Sequence, residues 1–319
     1  MPVIRTERLT KNYGTSPALV DLDLEVEQGE VFGYLGPNGS GKTTTIRLLL
    51  GLIRPSSGSA TVLGGDAQRD AVEIHRRVAH VPGGPALWPG LTGQETLHLL
   101  GRVHGSVDPQ LRDELIERFE LDPSKRVRTY STGNRQKLCL IAALMTRAEL
   151  LILDEPTAGL DPLMEQVFRS CVREAQARGQ TVFLSSHVLA EVEALCGRVA
   201  ILREGHLVES GSLDSMRLRS ALTVEASFEG PVPDVRGLPG VSDVTDEAGT
   251  LRCTVDGAVA PLLAALAEAH ATRVISREPS LEELFLTHYG HGQPDRNPDP
   301  PPVQTTGPTG GPGLSGATT

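Results

Sequence analysis

The sequence predicts an α/β fold with a mainly parallel sheet, and two observations carry this prediction. Over the first ~210 residues, apolar runs of strand length alternate with helical patterns, as in proteins whose sheet strands are joined by helices. The second observation is a glycine-rich loop at residues 36–43, which lies between an apolar run at 31–35 and a helical pattern from residue 44. This strand–loop–helix order is typical of folds that bind phosphate.

The candidate strands of this first part lie at residues 3–9, 18–26, 31–35, 60–63, 78–81, 150–153, 181–184 and 199–202. Between residues 92 and 148 the apolar spacing is helical and no strand pattern interrupts it. We therefore expect a first domain at residues 1–211 with a helical subdomain at about 92–148.

After residue 211 the pattern changes. Strand-like runs lie at 222–228, 241–245, 251–255 and 272–276, with helical patterns at 259–269 and 280–288. These predict a small α+β accessory domain over residues 212–290, whose last helix starts with Ser280 as N-cap and Glu283 as its capping-box partner. Residues 291–319 are rich in Pro, Gly, Thr and Asp and offer almost nothing to bury, which predicts a disordered tail.

Composition narrows the class of protein. A chain of 319 residues with 39% hydrophobic residues is long and apolar enough for a real core. No apolar run approaches the ~18 residues of a membrane span, and the N-terminus lacks the order of a signal peptide. A net charge of -10 disfavours a nonspecific nucleic-acid binder, so no nucleic-acid partner is expected. Four cysteines without paired spacing predict reduced thiols in the cytoplasm.

The loop at residues 36–43 satisfies the pattern of Gly, four residues and Gly-Lys-Ser/Thr. It consists of Gly36, Pro37, Asn38, Gly39, Ser40, Gly41, Lys42 and Thr43. Its glycines let the backbone fold around an oxyanion, and amides at the start of the following helix, up to Thr44, are free to donate to it. Lys42 reaches the β- and γ-phosphates, and Thr43 offers its hydroxyl to Mg²⁺. A glycine-rich turn that contains a lysine by chance is the weaker alternative, so we expect a bound nucleoside triphosphate.

Two carboxylates follow the apolar run at 150–153. Asp154 at the predicted strand end is placed to hold Mg²⁺, directly or through water. Glu155, one residue on, points in a different direction and is a candidate general base for an attacking water. Taken alone, this segment is also compatible with an ordinary strand that ends in an acidic turn.

The segment at residues 130–137 reads Tyr-Ser-Thr-Gly-Asn-Arg-Gln-Lys and opens a helical pattern. By itself it is better explained as a polar turn that caps a helix. Together with the phosphate-binding loop it resembles the signature segment of the ATP-binding cassette (ABC) ATPases, Leu-Ser-Gly-Gly-Gln-Arg-Gln-Arg. The resemblance covers about residues 3–290 and implies that Ser131 and Gly133 contact the γ-phosphate. Thr132 replaces a glycine of the family, and a positive φ would strain a β-branched residue there.

The resemblance also assigns roles to residues that are ordinary by themselves. Tyr13 matches the aromatic residue that stacks on adenine, although a surface tyrosine at a strand end would read the same. His187 matches a histidine that, as a neutral imidazole, orients the γ-phosphate and the attacking water alongside Glu155. Residues 158–161 match the loop that communicates between two cassettes.

One landmark of the family is absent. After the run at 78–81, relatives carry Gln or Glu in contact with Mg²⁺ or water, whereas this chain has Gly83 and Gly84. Either a water takes that place, or coupling to a membrane partner runs through neighbours such as Trp88 and Leu91. Trp88 either flanks the groove that receives this partner or packs into the helical subdomain, and the sequence leaves both open.

The resemblance implies the P-loop NTPase fold of an ABC nucleotide-binding domain, with ATP and Mg²⁺ as its ligands. In this family two nucleotides lie between two cassettes, each phosphate-binding loop facing the other's signature segment. A second copy of the chain, or a similar subunit, is therefore expected. Without a membrane span of its own, the chain is expected to serve separate multispan permease subunits at the cytoplasmic face of the cell membrane.

Residues 35–50, 150–163 and 278–285 resemble bacterial drug and antibiotic exporters of the daunorubicin-resistance type. That resemblance implies an ATPase that powers efflux of a drug, an antibiotic or another hydrophobic compound. The alternatives are a soluble ABC ATPase of translation or repair, and an ATPase for export of lipid, polysaccharide or ions. An inactive cassette is disfavoured because Lys42, Asp154, Glu155 and His187 are all present.

Overall fold

The structure is a computed structural model that describes residues 2–105, 107–218, 221–247, 249–278 and 282–283. The strands of its first part are β1 (Pro2–Tyr13), β2 (Ser16–Glu27), β3 (Val31–Leu35), β4 (Ser57–Val62), β5 (Gly65–Asp66), β6 (Val78–Val81), β7 (Leu150–Asp154), β8 (Thr181–Ser186), β9 (Arg198–Arg203) and β10 (His206–Ser212). The helices are α1 (Lys42–Leu49), α2 (Ala71–His75), α3 (Gly93–His104), α4 (Pro109–Arg118), α5 (Thr132–Leu144), α6 (Pro162–Ala177), α7 (Leu189–Leu195) and α8 (Leu213–Leu218).

The central sheet has the strand order β10-β9-β3-β8-β7-β6, and all its pairs are parallel except β10 with β9. Every residue of β3, β7 and β8 is buried, because helices or a second sheet cover both faces. The carboxyl ends of parallel strands lie at one edge of a sheet. The phosphate-binding loop after β3, the two carboxylates at the end of β7 and His187 after β8 are therefore brought to the same edge.

The prediction of one mainly parallel sheet is wrong for the N-terminal strands, which form a separate antiparallel sheet of order β2-β1-β4-β5. Only Gly14 and Thr15 separate β1 from β2, and so short a connection joins strands only as a hairpin. Along β2 buried and exposed residues alternate, as expected for a sheet with one solvated face. The polar strands β5 and β10 were not predicted, because neither contains an apolar run.

The two faces of the central sheet bury different layers. Phe32, Ile152 and Phe183 pack in the core that α1 and the antiparallel sheet share, whereas Leu151 and Val182 pack in the core with α5 and α6. The cysteines at positions 139, 171, 196 and 253 are free and buried. Successive residues of β7 thus pack into different layers, and its last residue, Asp154, is buried as well.

The segment between residues 92 and 148 is helical, as predicted, and contains α3, α4, α5 and a short 3₁₀ turn at Val127–Thr129. Thr92 and Glu95 form a capping box at the start of α3, with each side chain accepting the other's backbone N–H. Within the described ranges no helix has the length and apolar character that crossing a bilayer requires.

The C-terminal part contains β11 (Leu222–Ser227), β12 (Val241–Glu247), β13 (Thr250–Val255), α9 (Ala260–Glu268) and β14 (Arg273–Arg277). The four strands form an antiparallel sheet of order β12-β13-β11-β14, and Leu262 and Leu266 of α9 pack on it in a core of their own. The predicted helix at 280–288, apart from residues 282–283, and the predicted tail at 291–319 lie outside the described residues. Leu213 and Met216 pack into the core of the first part, so we propose that the first domain extends through α8.

Candidate nucleotide-binding and catalytic site

The conformation of the loop at residues 36–43 favours glycine at positions 36, 39 and 41, and Gly39 has a φ of 82°. Gly41 has a φ of 110°, and a Cβ there would lie 2.6 Å from the carbonyl oxygen of Ala18. A Cβ on Gly36 would lie 2.4 Å from the Oγ of Ser40 and 2.6 Å from the carbonyl oxygen of Leu202. The glycines of the motif therefore permit a tight loop that β2 and β9 enclose.

The start of α1 fits a phosphate group. Gly41 supplies no side-chain cap, so the first-turn N–H groups, those of Lys42, Thr43 and Thr44, have no partner within the helix. The Oγ of Ser40 is buried and has no hydrogen-bond partner among the described residues. Unpaired donors at the positive end of a helix dipole suit an oxyanion.

Lys42 lies between the loop and the end of β7. Its Nζ donates to the carbonyl oxygens of Gly36, at 2.6 Å, and Pro37, at 3.2 Å. It also pairs with Glu155, with 3.2 Å between Nζ and Oε1. Only 6% of Lys42 is exposed, so this ammonium is the buried positive charge beside the carboxylates.

Thr43 and Asp154 meet although 111 residues separate them: the Oγ1 of Thr43 donates to the Oδ2 of Asp154 at 2.9 Å. The other carboxylate oxygen, Oδ1, accepts from the Oγ of Ser185 at 2.5 Å. Mg²⁺ binds to proteins through few carboxylate or hydroxyl oxygens, and phosphates and water complete its shell. A hydroxyl and a carboxylate side by side next to the phosphate-binding loop fit that ion.

Glu155 turns away from the direction of β7. Its φ is 49°, in the left-handed region that side chains seldom adopt, and its N–H donates to the carbonyl oxygen of Ser185 at 3.1 Å. The carboxylate then lies between two partners: Lys42 on Oε1 and the Nδ1 of His187 on Oε2, at 2.6 Å. The structure thus gathers the predicted base, the histidine and the loop lysine.

The signature segment begins α5. Ser131 is its N-cap, and the Oγ accepts the N–H of Asn134 at 3.2 Å. Thr132 is the first helical residue and has no positive φ, so the strain expected from its β-branch is absent. A Cβ on Gly133 would lie 2.6 Å from the carbonyl oxygen of Gly159, so this glycine also lets the loop after β7 pack on the helix.

Tyr13 ends β1 with 49% of its surface exposed, and the Nζ of Lys11 lies 5.2 Å from the ring centroid. It pairs with Ser16 across the hairpin, two residues before Ala18, which contacts the loop glycine Gly41. The aromatic ring is therefore carried by a hairpin whose second strand borders the phosphate-binding loop.

The loop that lacks the family's Gln or Glu passes beside the candidate metal site. A Cβ on Gly83 would lie 3.4 Å from the Oδ2 of Asp154, an ordinary contact distance. Trp88, further along, is 49% exposed. Position 83 thus borders the carboxylate, but this chain offers no side chain there.

Sequence reasoning missed two residues that hold this site together. Ser185 binds Asp154, and Gln136, buried in α5, donates from Nε2 to the carbonyl oxygen of Pro156 at 2.8 Å. A hydroxyl at the end of an otherwise apolar strand was the available signal for Ser185. For Gln136 the available signal was its position in the signature segment. Its hydrogen bond could not be predicted, because the partner, Pro156, lies in another part of the chain.

Comparison with known proteins agrees with this geometry. Residues 19–158 match the family model described as ABC transporter. The chain is 39% identical over 226 residues to the bacitracin transport ATP-binding protein BcrA of Bacillus licheniformis, covering 70% of this chain and 74% of that protein. It is 37% identical over 298 residues to the daunorubicin resistance ATP-binding protein DrrA3 of Streptomyces coeruleorubidus, covering 89% and 94%.

A solved structure described as the ATP-binding subunit of an ABC transporter is similar to this fold. It superposes with a TM-score of 0.63 at 30% identity, over 67% of this chain and 92% of that one. The predicted P-loop fold is thereby confirmed, with the sheet correction given above. The chain belongs to the ABC transporter family and has the fold of its ATP-hydrolysing cassettes.

Proposed function

We propose that this chain hydrolyses ATP to power efflux of a drug, an antibiotic or another hydrophobic compound through a separate membrane permease. The observation that carries the proposal is the cluster formed by Lys42, Asp154, Glu155 and His187 at the phosphate-binding loop. Two relatives, which are named for bacitracin transport and daunorubicin resistance, support efflux as the function of the assembly.

Each residue of the cluster has a separate task. The loop and the first turn of α1 bind the phosphates, and Lys42 neutralises charge on them. Thr43 and Asp154 would hold Mg²⁺, which would supply positive charge to offset the negative charge of the phosphates. Glu155 accepts the proton of the attacking water, and His187 holds that carboxylate in place through Nδ1.

The site is completed by a second copy of the chain. Ser131 and Gly133 start α5, where N–H groups and a hydroxyl are placed to bind a phosphate. In this proposal they contact the γ-phosphate bound to the partner copy. Because ATP binds the closed pair more tightly than the open pair, binding closes the dimer and hydrolysis reopens it.

The permease contacts the face that carries Trp88, and the assembly works at the cytoplasmic face of the membrane. The half-exposed ring and the hydrogen-bonded turn from Trp88 to Leu91 support this placement. We expect Trp88→Ala to uncouple transport in vesicles while permease-free ATPase activity stays unchanged. Val72→Ala, which trims another exposed apolar side chain, is the control. Normal transport by Trp88→Ala would contradict the placement.

The central test is phosphate release by the purified chain and by Glu155→Gln. Loss of a general base lowers kcat by about 10²–10⁴-fold, while binding of ATP and Mg²⁺ is retained and a closed dimer accumulates. Glu149→Gln, at the other end of β7 and paired with Arg77, is the control and should hydrolyse normally. Undiminished hydrolysis by Glu155→Gln would refute the proposed chemistry.

A further inference from the structure

Glu191 is a buried carboxyl group that the proposed chemistry does not use. It lies in α7 with 7% of its surface exposed. Its Oε2 accepts two hydrogen bonds, from the Oγ of Ser186 at 2.8 Å and the Oγ1 of Thr157 at 3.1 Å. Its Oε1 is buried and has no hydrogen-bond partner among the described residues.

The surroundings of Glu191 disfavour a negative charge. Burial raises its pKa to about 7, and the carboxylates of Glu155 and Glu165 raise it further. The thiol of Cys196 also interacts electrostatically with Glu191. A buried carboxyl group without a cation costs stability relative to an apolar side chain of similar size. Packing by itself therefore gives no account of an acid at this position.

The two hydroxyl groups on Glu191 belong to the segments that carry the catalytic candidates. Thr157 lies two residues after Glu155, and Ser186 directly precedes His187. Ser186 also accepts the N–H of Val188 at 2.9 Å, which closes the backbone turn around His187. One carboxylate oxygen thus links the segment after the base to the segment that holds its histidine.

The segment after Glu155 has a second attachment, to the signature helix. The Nε2 of Gln136 donates to the carbonyl oxygen of Pro156, and Gly159 packs on Gly133. The segment that contains Thr157 is therefore bound to both α5 and α7. Glu191 provides the hydrogen bond between α7 and this segment, by accepting from Thr157.

We propose that Glu191 is a positioning residue for hydrolysis: its Oε2 holds Thr157 and Ser186 together and so maintains the contact between Glu155 and His187. The inference rests on the proposed ATP hydrolysis at Glu155. It predicts an effect on kcat and not on nucleotide affinity, because the hydrogen bonds that Glu191 accepts among the described residues come from Thr157 and Ser186, outside the phosphate-binding loop.

The test compares Glu191→Ala and Glu191→Gln in the full chain. Misplacement of a reacting group by about 1 Å costs about 10²-fold, so we expect Glu191→Ala to lower kcat about 10- to 100-fold with an unchanged Kd for ATP. Glu191→Gln keeps an acceptor oxygen for both hydroxyl groups and should restore most of the rate. Glu193→Ala, on the same helix but paired with Arg217, is the matched control and should hydrolyse normally.

Two further variants keep the test decisive if Glu191→Ala does not fold. Thr157→Val and Ser186→Ala each remove one hydroxyl group from Glu191, and each should lower kcat without changing Kd. The proposal is overturned if kcat is unchanged in these variants, or if kcat and ATP binding fall together as they would after general loosening. If the wild-type chain hydrolyses ATP and Glu155→Gln does not, such a result refutes the role of Glu191 and leaves the proposed function intact.

Discussion

The N-termini of α1 and α5 are both proposed to bind phosphate, but the structure builds them differently. At α1, Lys42 and Thr43 reach across to the end of β7, where they contact Glu155 and Asp154. At α5, Ser131 is exposed and caps its own helix. The half of the site at α1 is therefore assembled by contacts within the chain, and we call it the assembled half. The half at α5 presents the hydroxyl group of Ser131 to solvent, and we call it the exposed half. In the proposed function, a second chain completes a site that is split in this way.

The largest effect is expected at the assembled half. Lys42→Ala removes the buried ammonium, and loss of one such charge-stabilising donor costs about 10²–10³-fold in kcat. ATP binding by the single chain should weaken as well, and phosphate release together with equilibrium binding measures both. Lys125→Ala, at an exposed lysine, is the control. A Lys42→Ala variant with near-normal turnover would show that the contacts around α1 are only structural.

The exposed half should respond differently. Ser131→Ala is expected to leave ATP binding by the single chain unchanged and to lower kcat, because in the proposed function its hydroxyl group acts on the partner's nucleotide. A mixture of inactive Lys42→Ala and Ser131→Ala chains should regain activity, since one site of each mixed dimer pairs an intact loop with an intact signature segment. Random pairing in equal amounts gives ~25% of wild-type turnover for independent sites. No recovery on mixing would contradict the split site.

The buried carboxyl group of Glu191 in α7 predicts a pH effect on stability. The pKa of Glu191 is raised by burial to about 7 in the folded chain, so the folded state binds more protons than the unfolded state between its ordinary pKa and that value. Stability is then lost as pH rises through this window. Glu191→Gln removes the titration and should gain about 2 kcal/mol relative to wild type between pH 5 and pH 8. Urea unfolding at both pH values measures this, and Glu193→Gln should show no such trend.

The smallest effect is expected at the hairpin beside the assembled half. Tyr13→Ala removes an exposed ring that is proposed to stack on adenine, and stacking of this kind contributes about 1–3 kcal/mol per base. We therefore expect the Kd for ATP to rise about tenfold with kcat nearly unchanged. Tyr13→Phe keeps the ring and should bind ATP as the wild type does. If the wild type, Tyr13→Ala and Tyr13→Phe bound ATP with equal affinity, Tyr13 would be a surface residue without a role in ATP binding.

Much of the fold and of the site was predictable because the relevant signals are local. Apolar runs of strand length and a glycine-rich loop before a helix indicate backbone hydrogen bonding and burial without knowledge of distant contacts. Lys42, Thr43, Asp154 and Glu155 stand at the ends of such elements. The strands β3, β6 and β7 accordingly begin where the sequence predicted.

The sequence by itself determined the apolar strands, the phosphate-binding loop and the chemical types of the site residues. Only the tertiary structure decided that the N-terminal strands form a separate antiparallel sheet, that Thr43 meets Asp154, and that Glu191 joins two loops. The left-handed backbone conformation of Glu155 was likewise decided by the tertiary structure. The physical reason is that pairing and strand order bring together residues far apart in the chain, and no local pattern encodes which strands become neighbours.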